Sequence, residues 1–432
     1  MNRVYGYWIF GALLAVLVAA ALLIYFGPEQ NEGRVPERQP SRLGQEAGEP
    51  QQGAGAESAK PFSLVTTFRG DPKTSRAFTW HTASTEAASV LQVVQDTGNA
   101  SFEGSGVRTF QGTTTILELI DGSSQGVHKT EAVGLEPGTG YRYRVGDGST
   151  EGWSEPAAFT TEPTKTEAFT FLNVTDSQGV TERDFELWKR TLDKAFGQFP
   201  DAAFVVHNGD LTENPEDPEA WKHLLGKARP WVASYPLMPV TGNHEEVDKK
   251  ADAFVSHFMV PDNGSPSSIP GTSYSFDYGP VHFVMLNSES KVKDQAAWLE
   301  KDLNASDKAW TIVSIHRPAY GGNQDKSVLK HWVPVFDKYG VDLVLQGHNH
   351  EYSRSYPLQE GRIVESGGTV YVTLNTSGPK FNKKKDDQFY HRVHFQNGNQ
   401  MFAAIRIQGD TLSYQAYDVK GERLDSVDIP RQ

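Results

Sequence analysis

The 432-residue chain contains no cysteine. Disulfides, thiolate metal ligands, iron–sulfur clusters and a cysteine nucleophile are therefore all excluded. Any metal ion that the protein binds must be held by Asp, Glu, His, Asn or Gln side chains.

The sequence is also short of positive charge, because 41 Lys and Arg against 54 Asp and Glu give a formal net charge of −13. A surface that binds nucleic acid needs clustered Lys and Arg to displace phosphate counterions, and no such surface is evident. This charge favours solubility, but it identifies neither a protein partner nor an oligomeric state.

Long apolar runs are scarce, and the one that stands out is residues 5–26, which carry no charge. A bilayer is spanned by about 20 apolar residues. We expect residues 1–27 to be an uncleaved signal anchor rather than a cleaved signal peptide, because the run ends on large apolar residues. Arg3 precedes the run and favours a cytoplasmic N-terminus. The expected location is the cell membrane, single-pass with the rest of the chain outside the cytoplasm, or secretion after signal cleavage.

The remaining chain is long enough for more than one core. Residues 28–60 hold scarcely a large apolar side chain and are predicted to be a flexible tether. Residues 61–163 alternate short β-prone runs with turn signals and show no helical period, which predicts a small all-β sandwich. The predicted strands are 63–68, 76–82, 89–95, 113–119, 128–133, 141–145 and 157–161.

Residues 164–432 interleave apolar runs with amphipathic stretches, which predicts a layered α/β domain. Helices are expected around 185–196 and 294–303, where apolar residues recur on one face. Buried strands are predicted at 168–174, 203–206, 281–286, 310–315 and 341–345, with later strands at 369–374, 402–407 and 412–418.

Five short segments offer only hard-oxygen and imidazole groups, and each follows a strand candidate within a few residues. Loops at strand ends are where ligand sites form in α/β sheets. Alone, each segment has an ordinary interpretation as a turn, a cap or a core histidine. Their joint occurrence in this order predicts a two-metal phosphoesterase centre. The segments are Asp176-Ser177-Gln178, Asn208-Gly209-Asp210, Gly242-Asn243-His244-Glu245, Ser314-Ile315-His316-Arg317-Pro318 and Gly347-His348-Asn349-His350.

In these segments the chain resembles the calcineurin-like metallophosphoesterase superfamily, in its purple acid phosphatase-like branch with an N-terminal fibronectin type III-like domain. Phe78-Thr79-Trp80-His81-Thr82 and Glu351-Tyr352-Ser353-Arg354 fit the same branch. The resemblance implies a fibronectin III-like sandwich at 61–163 and, at 164–432, a layered β-sandwich flanked by helices.

The resemblance also implies two divalent or trivalent metal ions, drawn from iron, zinc and manganese. Carboxylate and imidazole bind borderline ions well, and a bridging carboxylate offsets the repulsion between two cations. The implied ligands are Asp176 and His350 for the first ion, Asn243, His316 and His348 for the second, and Asp210 for both.

A water shared by two such ions is expected to lose its proton near neutral pH and to attack phosphorus as hydroxide. The resemblance places His244 at the substrate as a catalytic residue that protonates the leaving oxygen or stabilises phosphoryl oxygens. The alternative is that His244 only forms hydrogen bonds to the metal ligands and does not contact the substrate. Asn243, Arg317 and Tyr320 are the further candidates for substrate binding.

Two positions depart from the family pattern. Glu213 stands where purple acid phosphatases carry a tyrosine, and Gln178 stands where many members of the superfamily have a histidine ligand. Gln178 is a weak candidate ligand or a holder of metal-bound water. Glu213 is either a carboxylate ligand or part of an acidic surface loop.

The expected function is phosphomonoester hydrolysis of the acid phosphatase kind, with a phosphate ester as the partner. A phosphodiesterase using the same site is the first alternative. A surface binding protein with a scaffold metallo domain is the second, and the intact ligands argue against it. The basic run around Lys383 to Lys385 is predicted to be a solvated loop rather than a phosphate-binding patch.

Overall fold

The computed structural model describes residues 59–98, 101–247 and 249–431. The predicted anchor or signal peptide at 1–27 and nearly all of the predicted tether at 28–60 lie outside these residues. Every described residue belongs to one compact unit, Gln51–Gln432. Within the described ranges, no helix has both the length and the apolar composition needed to cross a membrane.

The N-terminal β region, residues 61–163, is built from antiparallel strands, as the alternating pattern predicts. Eight strands are described there: β1 Phe62–Thr67, β2 Ser75–Thr82, β3 Val90–Gln95, β4 Arg108–Gln111, β5 Thr113–Glu118, β6 Ser124–Val133, β7 Gly140–Gly146 and β8 Ala157–Thr160. They form two four-stranded sheets, in the orders β1-β2-β6-β5 and β4-β3-β7-β8. Strand β4 was not predicted, because its four residues are mostly exposed and polar and carry no apolar alternation.

The C-terminal α/β region, residues 164–432, contains two larger sheets. Its described strands are β9 Ala168–Val174, β10 Ala202–His207, β11 Leu237–Pro239, β12 Tyr274–Tyr278, β13 Val281–Met285, β14 Trp310–Ser314, β15 Leu343–Gln346, β16 Tyr352–Ser355, β17 Leu358–Gln359, β18 Arg362–Ile363, β19 Val370–Thr373, β20 His391–Phe395, β21 Met401–Gln408, β22 Thr411–Asp418 and β23 Arg423–Pro430. One sheet has the order β11-β10-β9-β21-β22-β23, the other β12-β13-β14-β15-β19-β16-β20, and β17 and β18 form a separate pair. The layered α/β prediction is confirmed, whereas the division at residue 163 stays a prediction.

The helices of this region carry apolar faces toward the sheets. They are α1 Glu182–Gln198, α2 Pro218–Val232, α3 Asp252–His257, α4 Val292–Ala305, α5 Lys326–His331 and α6 Val333–Tyr339. Helix α1 begins with a reciprocal capping box between Thr181 and Asp184. Helix α2 was not predicted, although its N-cap Asp217 followed by Pro218 is a recognisable helix start.

The two regions share packing and hydrogen bonds. Phe68, the residue after β1, lies in the same buried cluster as side chains from the strands of the α/β region, and its ring centroid is 5.5 Å from that of Phe204. The Lys129 ammonium donates to the Val255 carbonyl at 2.6 Å, and the Tyr143 hydroxyl donates to the Ala233 carbonyl at 2.5 Å. The N-terminal β region is therefore part of one folded body with the α/β region.

A histidine on β13 is held between two carboxylates. His282 Nδ1 lies 2.8 Å from Asp277 Oδ1 on the paired strand β12, and Nε2 lies 2.9 Å from Asp302 Oδ2 on α4. Burial opposes charge on this imidazole, but the two carboxylates outweigh burial and raise the pKa of His282 to about 9. We therefore expect His282 to be an imidazolium at neutral pH.

A pKa raised above the ordinary 6.5 gives stability that is complete below about pH 6.5 and is lost as pH rises through about 9. We expect His282→Gln to destabilise the protein at pH 6 by roughly 1–3 kcal/mol and to have little effect at pH 10. Thermal unfolding at both pH values measures this, with His331→Gln as the control, since no hydrogen bond or ion pair is described for the His331 side chain at the end of α5. An equal loss at both pH values would contradict the assignment.

Candidate metal centre

The six predicted ligands lie in loops that directly follow parallel strands. Strands β9, β10 and β11 pair in parallel in one sheet, and β14 and β15 pair in parallel in the other. The carboxyl ends of parallel strands lie at one edge of a sheet, and here the edges of both sheets meet. This meeting brings together side chains that are far apart in the sequence.

The ligands form two groups that share one residue. Asp176, Asp210 and His350 form one group, and Asp210, His316 and His348 form the other; within each group, the candidate ligand atoms lie within 4.8 Å of one another. Asp210 Oδ2 is 3.2 Å from His316 Nε2, and Asp176 Oδ1 is 3.1 Å from His350 Nε2. A shared carboxylate between two ligand groups is what a pair of adjacent metal ions requires.

Asn243 joins the second group. Its amide oxygen Oδ1 is 3.3 Å from His316 Nε2. His348 Nδ1 is 3.2 Å from the same nitrogen. The structure therefore brings together all six side chains that the resemblance assigned as ligands.

Two of the imidazoles are oriented by main-chain carbonyls. His316 Nδ1 lies 2.7 Å from the Asn208 carbonyl oxygen, and His350 Nδ1 lies 2.8 Å from that of Lys380. A carbonyl can only accept, so in both rings Nδ1 carries the hydrogen and Nε2 faces the cluster. Each ring thus presents the nitrogen that a metal ion needs.

The backbone of the site is unusual. Asp176, Asp210, His348 and His350 have φ angles of 51°, 56°, 71° and 51°, in the left-handed region that residues other than glycine rarely adopt. Such conformations persist only where the surroundings impose them, and they concentrate at functional sites. A Cβ atom on Gly242 would lie 2.2 Å from Asp210 Oδ1, so glycine is required there for the loops to approach.

The buried side chain of Glu245 holds two of these loops, a role that the sequence analysis did not assign. Its carboxylate accepts hydrogen bonds from the main-chain N–H groups of Asp210 at 2.9 Å, Leu211 at 2.8 Å and Gly242 at 2.7 Å. Burial, together with the nearby Asp210 carboxylate, raises the pKa of Glu245 above its usual range. Glu245 stood within a quoted motif, but only the fold reveals its three donors.

The charges of the cluster favour a cation. Burial opposes ionisation of Asp210, but His316 outweighs it and lowers the pKa of that carboxyl. Burial likewise opposes charge on His316 and His350, yet Asp210 and Asp176 respectively raise the pKa of each imidazole. These buried carboxylates therefore stabilise positive charge beside them, which fits a metal pair.

Gln178 provides a second sign that a bound group belongs here. Its side chain is buried, and neither its amide oxygen nor its amide nitrogen has a hydrogen-bond partner among the described residues. It lines a cavity of about 190 Å³ together with Asp210, His348 and His350. Because unpartnered buried amides are rare, the donor set and this orphaned amide together fit a site that holds metal ions and an anionic ligand.

Glu213 lies outside both ligand groups. Its carboxylate is 38% exposed and lies 3.5 Å from the Lys380 ammonium. The main-chain carbonyl of Glu213 accepts a hydrogen bond from His244 Nδ1 at 2.7 Å. His244 also lines the cavity, so its other ring nitrogen, Nε2, is free to face it. The exposed Glu213 side chain agrees with the predicted position on a surface loop. The structure gives no support to the alternative role as a metal ligand.

Arg317 and Tyr320, two of the predicted candidates for substrate binding, lie in different surroundings. Arg317 pairs with Glu289 at 2.7 Å and lines a larger cavity of about 710 Å³, which shares Asn243 and His244 with the smaller one. Tyr320 is buried, with its ring 4.8 Å from that of Tyr371, and it lines neither cavity. Tyr320 packs in a buried hydrophobic cluster with Tyr371 and Tyr390, and its assignment to substrate binding stays a prediction.

The basic run near the C-terminus is only partly the solvated loop that its charge pattern predicted. Lys383 and Lys384 are exposed, but Lys385 is half-buried and lines the smaller cavity, as do Lys380 and Asn382. The sequence carried no pattern that distinguished these residues from their neighbours.

Two packed sheets with a shared-carboxylate cluster of Asp, Asn and His at their common edge are typical of metal-dependent hydrolases. Residues 61–161 match the model of the purple acid phosphatase N-terminal domain, and residues 169–352 match that of the calcineurin-like phosphoesterases. Acid phosphatase type 7 of Homo sapiens is 27% identical over 360 residues, which are 75% of this chain and 77% of that protein. Purple acid phosphatase 23 of Arabidopsis thaliana is 28% identical over 306 residues, 60% of this chain and 64% of that protein.

The fold has a solved counterpart in purple acid phosphatase PPD1 from yellow lupin (Lupinus luteus) seeds. The TM-score is 0.73 at 17% identity, over 87% of this chain and 75% of the lupin chain, a likeness that concerns the fold alone. These matches show a purple acid phosphatase N-terminal domain followed by a calcineurin-like phosphoesterase domain, and the chain is a phosphoester hydrolase.

Replacing Glu245 by Gln should weaken metal binding, because an amide cannot accept all three main-chain hydrogens without turning its NH₂ group toward a donor. We expect Glu245→Gln to need about 10–100-fold more Mn²⁺ or Zn²⁺ than wild type for the same rise in thermal midpoint. The control is Glu216→Gln, an exposed carboxylate on a neighbouring loop. Identical metal titrations for the two variants would contradict a positioning role for Glu245.

Proposed function

We propose that the protein is a dinuclear-metal-dependent phosphomonoesterase that acts outside the cytoplasm. The observation that carries the proposal is the pair of ligand groups that share Asp210. Asp176 and His350 would hold one ion, and Asn243, His316 and His348 the other. Iron, zinc and manganese all suit this set of carboxylate, amide and imidazole donors.

Metal ions bound in such a pair neutralise phosphoryl oxygens and supply an activated water. The protein's own groups complete the site. His244, fixed through Nδ1 by the Glu213 carbonyl, directs Nε2 to the cavity and can donate a proton to the leaving oxygen. The unpartnered Gln178 amide can donate to a phosphoryl oxygen, which would satisfy its buried NH₂ group.

Phosphodiester hydrolysis at the same site is the second candidate. The cavity of about 710 Å³ adjoins the smaller one at Asn243 and His244, and it has room for a second ester group. The basic residues Lys380 and Lys385 in the smaller cavity favour the more highly charged monoester. A scaffold without activity has less support, because all six candidate ligands are present and meet.

The location outside the cytoplasm rests on the uncharged apolar run at 5–26. An anchor there, or a cleaved signal peptide, would both export the rest of the chain.

Turnover of p-nitrophenyl phosphate and of its bis-ester, with Fe, Zn or Mn supplied separately, tests the activity. We expect wild type to have a higher kcat/KM for the monoester than for the bis-ester. Asp210→Asn should lower the monoester kcat/KM by at least about 100-fold, which exceeds the effect expected from replacing a residue that only hydrogen-bonds to a ligand. Asp201→Asn, an exposed carboxylate near the start of β10, is the matched control. Equal activity in Asp210→Asn and wild type would remove the dinuclear mechanism.

N-terminal sequencing of the mature protein, with fractionation of the cells that make it, tests the location. We expect an intact N-terminus in the membrane fraction, because the apolar run ends without a small-residue cleavage site. A mature chain that begins near Gly27 would instead establish secretion. Recovery of the full-length chain in the cytosol would contradict both forms of the proposal.

A further inference from the structure

We propose that Lys380 determines the preference for monoesters, by binding the second negative charge of a phosphomonoester dianion. This inference rests on the proposed function and adds a substrate-selecting residue to it. Lys380 belongs to none of the five motifs that define the ligands.

Both the main chain and the side chain of Lys380 lie beside the candidate metal ligands. It lines the same cavity as Asp210, His244 and His350. Its carbonyl accepts from His350 Nδ1 at 2.8 Å, so its backbone is fixed relative to a candidate metal ligand. Its side chain is 44% exposed, and so the ammonium group has room to turn.

The partner of Lys380 is easily released. The ammonium Nζ lies 3.5 Å from Glu213 Oε2, and the Glu213 side chain is 38% exposed. A half-exposed pair contributes little free energy, because water solvates both charges when they separate. Glu213 keeps its place without Lys380, since its carbonyl is bonded to His244 at 2.7 Å.

Lys385, the second lysine of the cavity, is held differently. Its Nζ lies 3.9 Å from Oε1 of Glu351, a carboxylate that is fully buried. His394 Nε2 also lies 3.4 Å from Oε2 of that carboxylate, but Lys385 is the only Lys or Arg side chain with a described ion pair to it, so moving Lys385 away would remove part of the compensation of a buried charge, which is costly. Lys385 is therefore bound to its partner, and Lys380 is the lysine that can transfer its charge to a substrate.

The segment that carries Lys380 is hydrogen-bonded to the residues on either side of the candidate ligand His350. Asn382 Nδ2 donates to the Asn349 carbonyl at 2.9 Å, and the Lys385 main-chain N–H donates to Glu351 Oε2 at 2.8 Å. Only the Lys380 side chain has to move to contact the phosphate group of a substrate. Because the backbone is already fixed, less conformational entropy is lost on binding.

The charge of the substrate decides what this lysine contributes. A phosphomonoester carries about −1.5 to −2 near pH 7. A diester has one ionisable oxygen fewer and carries a single charge. A point charge such as an ammonium group therefore contributes more to binding the monoester than to binding the diester.

The test compares Lys380→Met with Lys383→Met, which removes the same charge from an exposed position on the same segment. For p-nitrophenyl phosphate, we expect Lys380→Met to raise KM about tenfold and to leave kcat little changed. A tenfold rise is the change in binding expected when one hydrogen bond to a charged group is lost. For the bis-ester, we expect a change of less than about twofold. Lys380→Arg should restore most of the monoester KM, because the charge is retained.

Inorganic phosphate supplies a readout that does not depend on turnover. By calorimetry on Mn²⁺-loaded protein, phosphate should bind about tenfold more weakly to Lys380→Met than to Lys383→Met. Equal phosphate binding by the two variants, or an equal fall in activity toward both esters, would overturn the proposal. If the wild type hydrolyses neither ester, the proposed function fails, and the phosphate titration still decides whether Lys380 binds the anion.

Discussion

The buried side chain of Asn208 joins the two sheets of the α/β region at the edge where the ligands meet. Its amide nitrogen donates to Ser314 Oγ and to the Leu345 carbonyl, both at 2.8 Å, and the main-chain carbonyl of Asn208 accepts from His316 Nδ1 at 2.7 Å. Each sheet supplies part of the ligand set, so the spacing of the ligands depends on how these edges are held. Apolar packing sets the distance between sheets only coarsely, whereas a satisfied buried amide fixes one register.

The left-handed ligand loops follow from the same constraint. Strands that end at a common edge must turn at once if their side chains are to converge, and Asp176, Asp210, His348 and His350 do so with positive φ. Glu245 then holds the Asp210 loop against the Gly242 loop through three main-chain hydrogen bonds. The strain of these turns is offset by hydrogen bonds that exist only in the complete fold.

Much of the site could be predicted from the sequence, because the ligands follow apolar strands whose pattern is strong. Strand β9 was predicted with its observed bounds, Ala168–Val174, and Asp176 follows it directly. Strand β4 and helix α2 were missed, the first because exposed polar strands carry no periodicity. The role of Glu245 was also missed, because it depends on main-chain groups that are brought close only by folding. The position of Lys380 beside the candidate ligands was missed as well, since no motif includes that residue. Tyr320 follows the His316 motif in sequence, but its ring packs against that of Tyr371, a contact that the sequence did not predict.

The position of Phe68 has a consequence for how this protein can vary. Strand β1 opens the N-terminal β region, yet Val65 within it and Phe68 just after it belong to the hydrophobic cluster that also contains residues of β9 and β10. The two regions are therefore not interchangeable modules, because side chains of the N-terminal β region form part of the hydrophobic core of the α/β region. Divergence at Phe68 must be matched by divergence around Phe204, and a shuffled pairing of halves from distant relatives would begin with a mismatched core.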